Sequence, residues 1–90
     1  MSTTAADAAG DDRLTTSEYR ERLRELPPSA KLVAKVLEGE SPLSQGRLAE
    51  ESLLPDRTVR YALNRLQDSG IVGSRYSFKD ARKQVYFLRT

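Results

Sequence analysis

The chain has 90 residues, 38% of them hydrophobic and 31% charged, with a formal net charge of +2. That is one small domain with a modest core and a polar surface. It contains neither cysteine nor histidine, which removes disulfides, thiolate and imidazole metal ligands, a cysteine nucleophile and the commonest general base.

No enzyme is expected from such a set of side chains, and no cofactor. No apolar run approaches the roughly 20 residues needed to span a bilayer. Met1 to Gly10 has neither a basic start nor an apolar centre, so it does not read as a secretory signal. The expectation is a cytoplasmic protein with no membrane partner. The charge is unevenly spread. Met1 to Leu26 carries six acidic and four basic residues, and Pro27 to Leu54 four acidic and three basic. Pro55 to Thr90 carries eight basic and three acidic residues, a net +5. A positive C-terminal segment in a near-neutral chain points to a polyanionic partner on one face.

In chain order, residues 1–13 are small, polar and acidic (STTAADAAGDD) and read as a disordered tail, leaving residues 14–90 as the folded domain. Thr15 and Glu18 have capping-box spacing, so a helix is predicted over about 16–26, ended by Pro27-Pro28. Its apolar residues Tyr19, Leu23 and Leu26 form one narrow stripe on a charged helix. The stripe has two readings: it packs on its own domain, or it is the contact of a homodimer. The next helix, SAKLVAKVLEGE, presents Leu32, Val33, Val36 and Leu37 on one face and stops at Gly39. Leu43 is expected to add a stub of strand. Ser44 can cap a third helix, QGRLAEES, with Leu48 and Ala49 turned inward.

After a turn at Leu53-Leu54-Pro55-Asp56, a fourth helix is predicted over 55–68, with Val59, Ala62, Leu63 and Leu66 inward and Gly70 as its C-terminal cap. From Ile71 the period changes to two. Ile71–Phe78 reads as a strand with Ile71, Gly73, Arg75 and Ser77 on one side and Val72, Ser74, Tyr76 and Phe78 on the other. A polar turn, Lys79-Asp80-Ala81-Arg82, leads to a second strand over Gln84–Arg89, so that residues 71–89 form a hairpin leaning on the helices. The fold class is α+β, mainly α: helices followed by a two-stranded hairpin.

A short helix, a tight turn and a longer helix make a helix-turn-helix, whose second helix is shaped to lie in the major groove of double-stranded DNA. Its outward residues are Arg57, Thr58, Arg60, Tyr61, Asn64 and Arg65. Arginine donates twice to guanine, asparagine pairs with adenine, and threonine and tyrosine reach thymine methyls or phosphates. A solvated charged face is the plainer reading, but such faces usually mix signs, and here only Asp56 and Asp68, at the two ends, oppose the positive charge. Arginine outnumbers lysine eleven to four, which suits bidentate recognition.

The segment LAEESLLPDRTVRYALNRLQDSGIV, residues 48–72, with the hairpin behind it, resembles the winged helix-turn-helix of MarR- and ArsR-type prokaryotic or archaeal transcriptional regulators over Ser41 to Leu88. The resemblance implies that Gln45 and Arg47 sit near the DNA backbone and that Arg57, Thr58, Arg60 and Tyr61 read the groove. It implies that the wing tip, Lys79, Arg82 and Lys83, reaches an adjacent minor groove or phosphates, with Arg75 a weaker wing contact. ArsR-type metal sensors use cysteine or histidine ligands, which this chain lacks. MarR-type proteins carry long C-terminal dimer helices, whereas this chain ends at Thr90, so a dimer is expected to use the N-terminal stripe or the core helix. Two alternatives stand beside the regulator reading. A protein-interaction module would expose apolar residues on the fourth helix, and an architectural protein would share the basic face without sequence preference.

Overall fold

The computed structural model describes residues 13–90. The tail expected over residues 1–13 therefore lies outside the described residues, except for Arg13. Four helices and three short strands follow in the order α1 (Thr16–Arg24), α2 (Pro28–Gly39), β1 (Leu43–Ser44), α3 (Gln45–Ser52), α4 (Asp56–Asp68), β2 (Val72–Tyr76) and β3 (Gln84–Leu88).

The capping box forms: the Thr15 hydroxyl accepts from the Glu18 N–H at 3.1 Å, and the Thr15 N–H donates to Glu18 Oε1 at 2.9 Å. These bonds hold the Glu18 carboxyl below its usual range, the Thr15 backbone donor contributing most. α1 stops at Arg24 rather than at residue 26, because Pro27 disfavours helical geometry at the residue before it; Glu25 and Leu26 form a turn. Tyr19, Leu23 and Leu26 are all buried in the chain's own core. Their burial favours the first of the two readings of this stripe, packing on its own domain. Burial and a hydrogen bond donated to Glu38 Oε2 raise the Tyr19 phenol well above its ordinary pKa.

α2 starts on Pro28, where a missing N–H costs nothing. Its buried face is Ala30, Val33, Ala34 and Leu37, spaced i, i+3, i+4, i+7, with Val36 half-buried. Leu32, expected inward, is 41% exposed. The inner face is set by two alanines, which let α2 lie close against α4, its most extensive partner. α4 contributes Val59, Ala62, Leu63 and Leu66, as its spacing predicts, and α3 contributes Leu48. Pro55 is the N-cap of α4 rather than its first residue.

α4 ends in a Schellman motif. The Ile71 N–H donates to the Leu66 carbonyl and the Gly70 N–H to the Gln67 carbonyl, both at 3.0 Å, with Gly70 left-handed at φ +75°. The Arg22 guanidinium on α1 donates to the Ser69 carbonyl at 2.9 Å, tying α1 to this turn.

The hairpin is part of a three-stranded antiparallel sheet, order β1-β3-β2, because the stub at Leu43 pairs with Tyr86. Within β2–β3, Val72 faces Leu88 and Tyr76 faces Gln84. The expected strands Ile71–Phe78 and Gln84–Arg89 shorten by one to two residues at their ends. Strict alternation across β2 also fails: Ile71, Val72 and Gly73 are all buried, whereas Arg75 and Tyr76 are both exposed. The base of the sheet is covered on both faces, by the helical core and by the Phe87 ring over Gly73, while its far end projects past the helices. Burial there follows distance from the core rather than side of the strand.

Candidate nucleic-acid interface

The inward face of α4 fixes the outward one. With Val59, Ala62, Leu63 and Leu66 in the core, helical geometry sends residues 57, 60, 61 and 64 the other way. Arg57, Arg60, Tyr61 and Asn64 are exposed, while Thr58 and Arg65 at the flanks are half-buried. Arg57 and Arg60 form no ion pair with a described carboxylate. Arg65 is held back: its Nη1 donates to the Tyr61 hydroxyl at 2.9 Å and its guanidinium lies 5.8 Å from the ring centroid. That contact leans Tyr61 and Arg65 on one another and leaves Arg57, Arg60 and Asn64 as the freer groups.

The turn before α4 is tight because Leu53 caps α3 in a left-handed conformation, φ 62° and ψ 26°. Its side chain is 89% exposed. Ser52, buried in the same turn, accepts from the Leu54 N–H at 3.3 Å.

The two residues expected beside the DNA backbone on α3 are both engaged within the chain. Gln45 Nε2 donates to the Asp56 carbonyl at 3.3 Å, bracing the start of α4 against the start of α3. Arg47 sits among three carboxylates, Glu51 at 3.2 Å, Glu50 at 3.5 Å and Glu40 at 3.9 Å. The Glu51 hydrogen bond, with the nearby negative charge, raises its pKa further. Glu50 and Glu51 stand three and four residues beyond Arg47, a spacing that identifies helix-surface pairs directly. Gln45 also lines a surface recess of about 370 Å³ with Ser44, Gly46, Lys83, Gln84 and Tyr86, so the start of α3 and the base of the wing loop share one concavity.

At the wing, the Ser77 N–H donates to the Lys83 carbonyl at 2.8 Å and closes the loop. Lys79 and Lys83 are exposed and form no ion pair with a described carboxylate. Arg82 pairs with Asp80 at 3.3 Å. Arg75 lies 5.1 Å from the centroid of the Phe78 ring. The wing thus brings Arg75, Lys79, Arg82 and Lys83 to one end of the molecule. It also displays two aromatic side chains not singled out in the sequence as site residues, Tyr76 and Phe78, the latter 94% exposed. An aromatic residue inside a polar turn, SFKDARK, was the available signal.

Among the described residues no group of three or more His, Cys, Asp or Glu side chains could hold a metal ion. No described helix is long and apolar enough to cross a membrane.

Helix, helix, turn, recognition helix and wing, in that order and with a three-stranded sheet closing the wing onto the helices, define a winged helix-turn-helix. Residues 35–72 match the winged helix-turn-helix DNA-binding family model. No curated protein sequence matches the chain. Solved structures with the same architecture include MarR family members. The PcaV transcriptional regulator from Streptomyces coelicolor, in complex with its natural ligand, is 23% identical, with a TM-score of 0.67 over 71% of this chain and 45% of its own. MepR of S. aureus, in a DNA complex, is 17% identical, with a TM-score of 0.68 over 82% of this chain and 63% of its own. A probable transcriptional regulator from Pseudomonas aeruginosa is 18% identical, with a TM-score of 0.69 over 80% of this chain and 55% of its own. At these identities the likeness is one of fold: the chain has a MarR-like winged helix-turn-helix fold. It spans about half the length of the first of these structures.

Proposed function

We propose that this chain is a DNA-binding transcriptional regulator that lays α4 in the major groove and sets its wing against the neighbouring backbone or minor groove. The observation that carries the reading is the outward face of α4. Arg57, Arg60 and Asn64 have no carboxylate partner among the described residues and stand on the helix that this fold type lays in the major groove. The family model matched by residues 35–72 is one of DNA binding, and MepR, which shares the fold, is seen bound to DNA. Arg57, Arg60, Tyr61, Asn64 and, at the flank, Thr58 would read bases, while Lys79, Lys83 and Arg75 would meet phosphates. The recess between Ser44, Gln45 and Lys83 would take a further phosphate. Arg65, tethered to Tyr61, would act by positioning that ring, and Arg47 and Arg82, paired with carboxylates, would contribute less.

The test is a titration against mixed-sequence duplex DNA at several salt concentrations. Affinity should fall steeply with salt, because cations that meet phosphates release condensed counterions. Absence of binding at about 50 mM salt, where phosphate contacts are strong, would overturn the reading and leave a protein partner as the leading alternative.

A further inference from the structure

Phe78 has no structural task. Its ring is 94% exposed at the tip of the wing, outside the hydrophobic core, and the contact on its face is the Arg75 guanidinium from the same hairpin. A turn between two strands is served as well by serine or asparagine, so an apolar ring held in water there is a feature of the surface rather than of the fold. The loop that carries it is nevertheless well fixed. Ser77 N–H donates to the Lys83 carbonyl at 2.8 Å, and Lys83 N–H to the Asp80 carbonyl at 2.9 Å. The Ser77 hydroxyl accepts from the Lys79 N–H at 3.1 Å, and Asp80 Oδ1 accepts from the Arg82 N–H at 3.0 Å. The Arg75 guanidinium lies over the ring, 5.1 Å from its centroid. The same loop carries exposed Lys79, Arg82 and Lys83, with Asp80, paired to Arg82, its one acidic residue.

An apolar ring on a rigid tip, framed by cations, has the chemistry of a wedge for duplex DNA. The cations neutralise phosphates on either side of the minor groove while the ring enters a base step, unstacks it and kinks the helix. A protein partner would be met by an apolar patch depleted of charge, which this tip is not. Resting on the DNA-binding reading above, we propose that Phe78 is a minor-groove wedge, so that the protein bends the DNA it binds and favours sites whose wing-proximal step is a flexible pyrimidine–purine step.

The experiment is the force–extension behaviour of one long mixed-sequence duplex, compared between proteins at matched occupancy measured by labelled-protein fluorescence. Such a duplex needs no known target site. Bare DNA has a persistence length of about 50 nm, and the wild-type chain should lower the apparent value about twofold. Phe78→Ala should bind with the value restored to that of bare DNA. Phe78→Leu, which keeps an apolar wedge, should retain most of the effect, and Phe78→Lys, which adds charge in its place, should not. Because the ring packs on nothing in the core, all three variants should keep the wild-type melting temperature. Wild-type protein that coats DNA without softening it, or Phe78→Ala that softens it equally, overturns the wedge and leaves DNA binding intact. Wild-type protein that does not bind the duplex at low salt overturns both readings together.

Discussion

Gly70 sits where the recognition helix hands the chain to the wing, and replacing it with alanine perturbs that junction in two separable ways. At φ +75° an added Cβ meets the next carbonyl oxygen, which costs about 1–2 kcal/mol for an L-residue. The same Cβ would also lie 2.8 Å from Arg22 Nη1. The guanidinium must therefore swing away and give up its bond to the Ser69 carbonyl, an exposed contact worth about 0.5–1.5 kcal/mol. Together Gly70→Ala should cost about 2 kcal/mol, which in a domain of this size lowers the melting temperature by about 8–16 °C. The assay is a double-mutant cycle with Arg22→Ala, read by urea denaturation. Arg22→Ala alone should cost only the lost bond. In its background Gly70→Ala should cost only the backbone part, so the double variant loses less than the two single losses combined. Additivity within about 0.3 kcal/mol would show that the guanidinium is not displaced. A loss below about 0.5 kcal/mol for Gly70→Ala would refute the left-handed constraint itself.

Arg60→Ala should weaken binding to a preferred site by about 1–3 kcal/mol and weaken mixed-sequence binding far less, measured by fluorescence anisotropy; equal losses on both would make Arg60 a phosphate contact. Lys83→Ala should weaken all sequences alike and reduce the salt slope by about one, whereas a sequence-selective loss would mean that the wing reads bases. The Glu18 carboxyl is held below its ordinary value of 4.5, so its stabilisation is present above that value and is lost as pH falls through the lower folded value. The stability gap between wild type and Glu18→Ala should accordingly be constant near neutrality and narrow in acid, and a gap that widens in acid would reverse the assignment. Leu53→Asn should stabilise by up to about 1 kcal/mol, because asparagine tolerates the left-handed geometry at φ 62° and the lost side chain is exposed; a lower melting temperature would show that the leucine makes an apolar contact.

The helical part of the fold was legible because local signals agreed with one another. Thr15 and Glu18 marked a start, Pro27-Pro28 a stop, and the spacing of Val59, Ala62, Leu63 and Leu66 an inner face that the structure reproduces. α2 was misread at Leu32 because hydrophobicity ranks leucine above alanine, while close packing against α4 selects for small residues; Ala30 and Ala34 took the inner positions. The strand stub at Leu43 was expected, but its pairing with Tyr86, across more than 40 residues, is encoded by no local period, and neither is the burial gradient along β2, which follows distance from the core. At the site, the positions of Arg57, Arg60 and Asn64 followed from the helical period alone. The engagement of Arg47 did not follow from its charge, but its i+3 and i+4 glutamates carried that information. Phe78 was assigned to a strand face by alternation, and alternation fails where the sheet leaves the core.

The arrangement of charge and rings also separates the two classes of partner that a winged helix can serve. α1, the turn after it and α2 carry Arg20, Arg22, Arg24, Lys31 and Lys35 among Glu18, Glu21, Glu25 and Glu38, a surface of mixed sign in which Lys35 pairs with Glu38 at 3.4 Å. α4 and the wing carry Arg57, Arg60, Arg65, Arg75, Lys79, Arg82 and Lys83 against Asp56, Asp68 and Asp80. The exposed aromatic side chains, Tyr61, Tyr76 and Phe78, all stand on this second surface. Protein interfaces gather apolar groups at their centre and push charge to the rim. Here two of the three exposed rings have an arginine on them, Arg65 on Tyr61 and Arg75 on Phe78, which is unlike the charge-depleted centre of a protein interface. Alternating rings and cations match a partner that itself alternates apolar bases with anionic phosphates, and that match holds whether the rings stack, wedge or only line the groove.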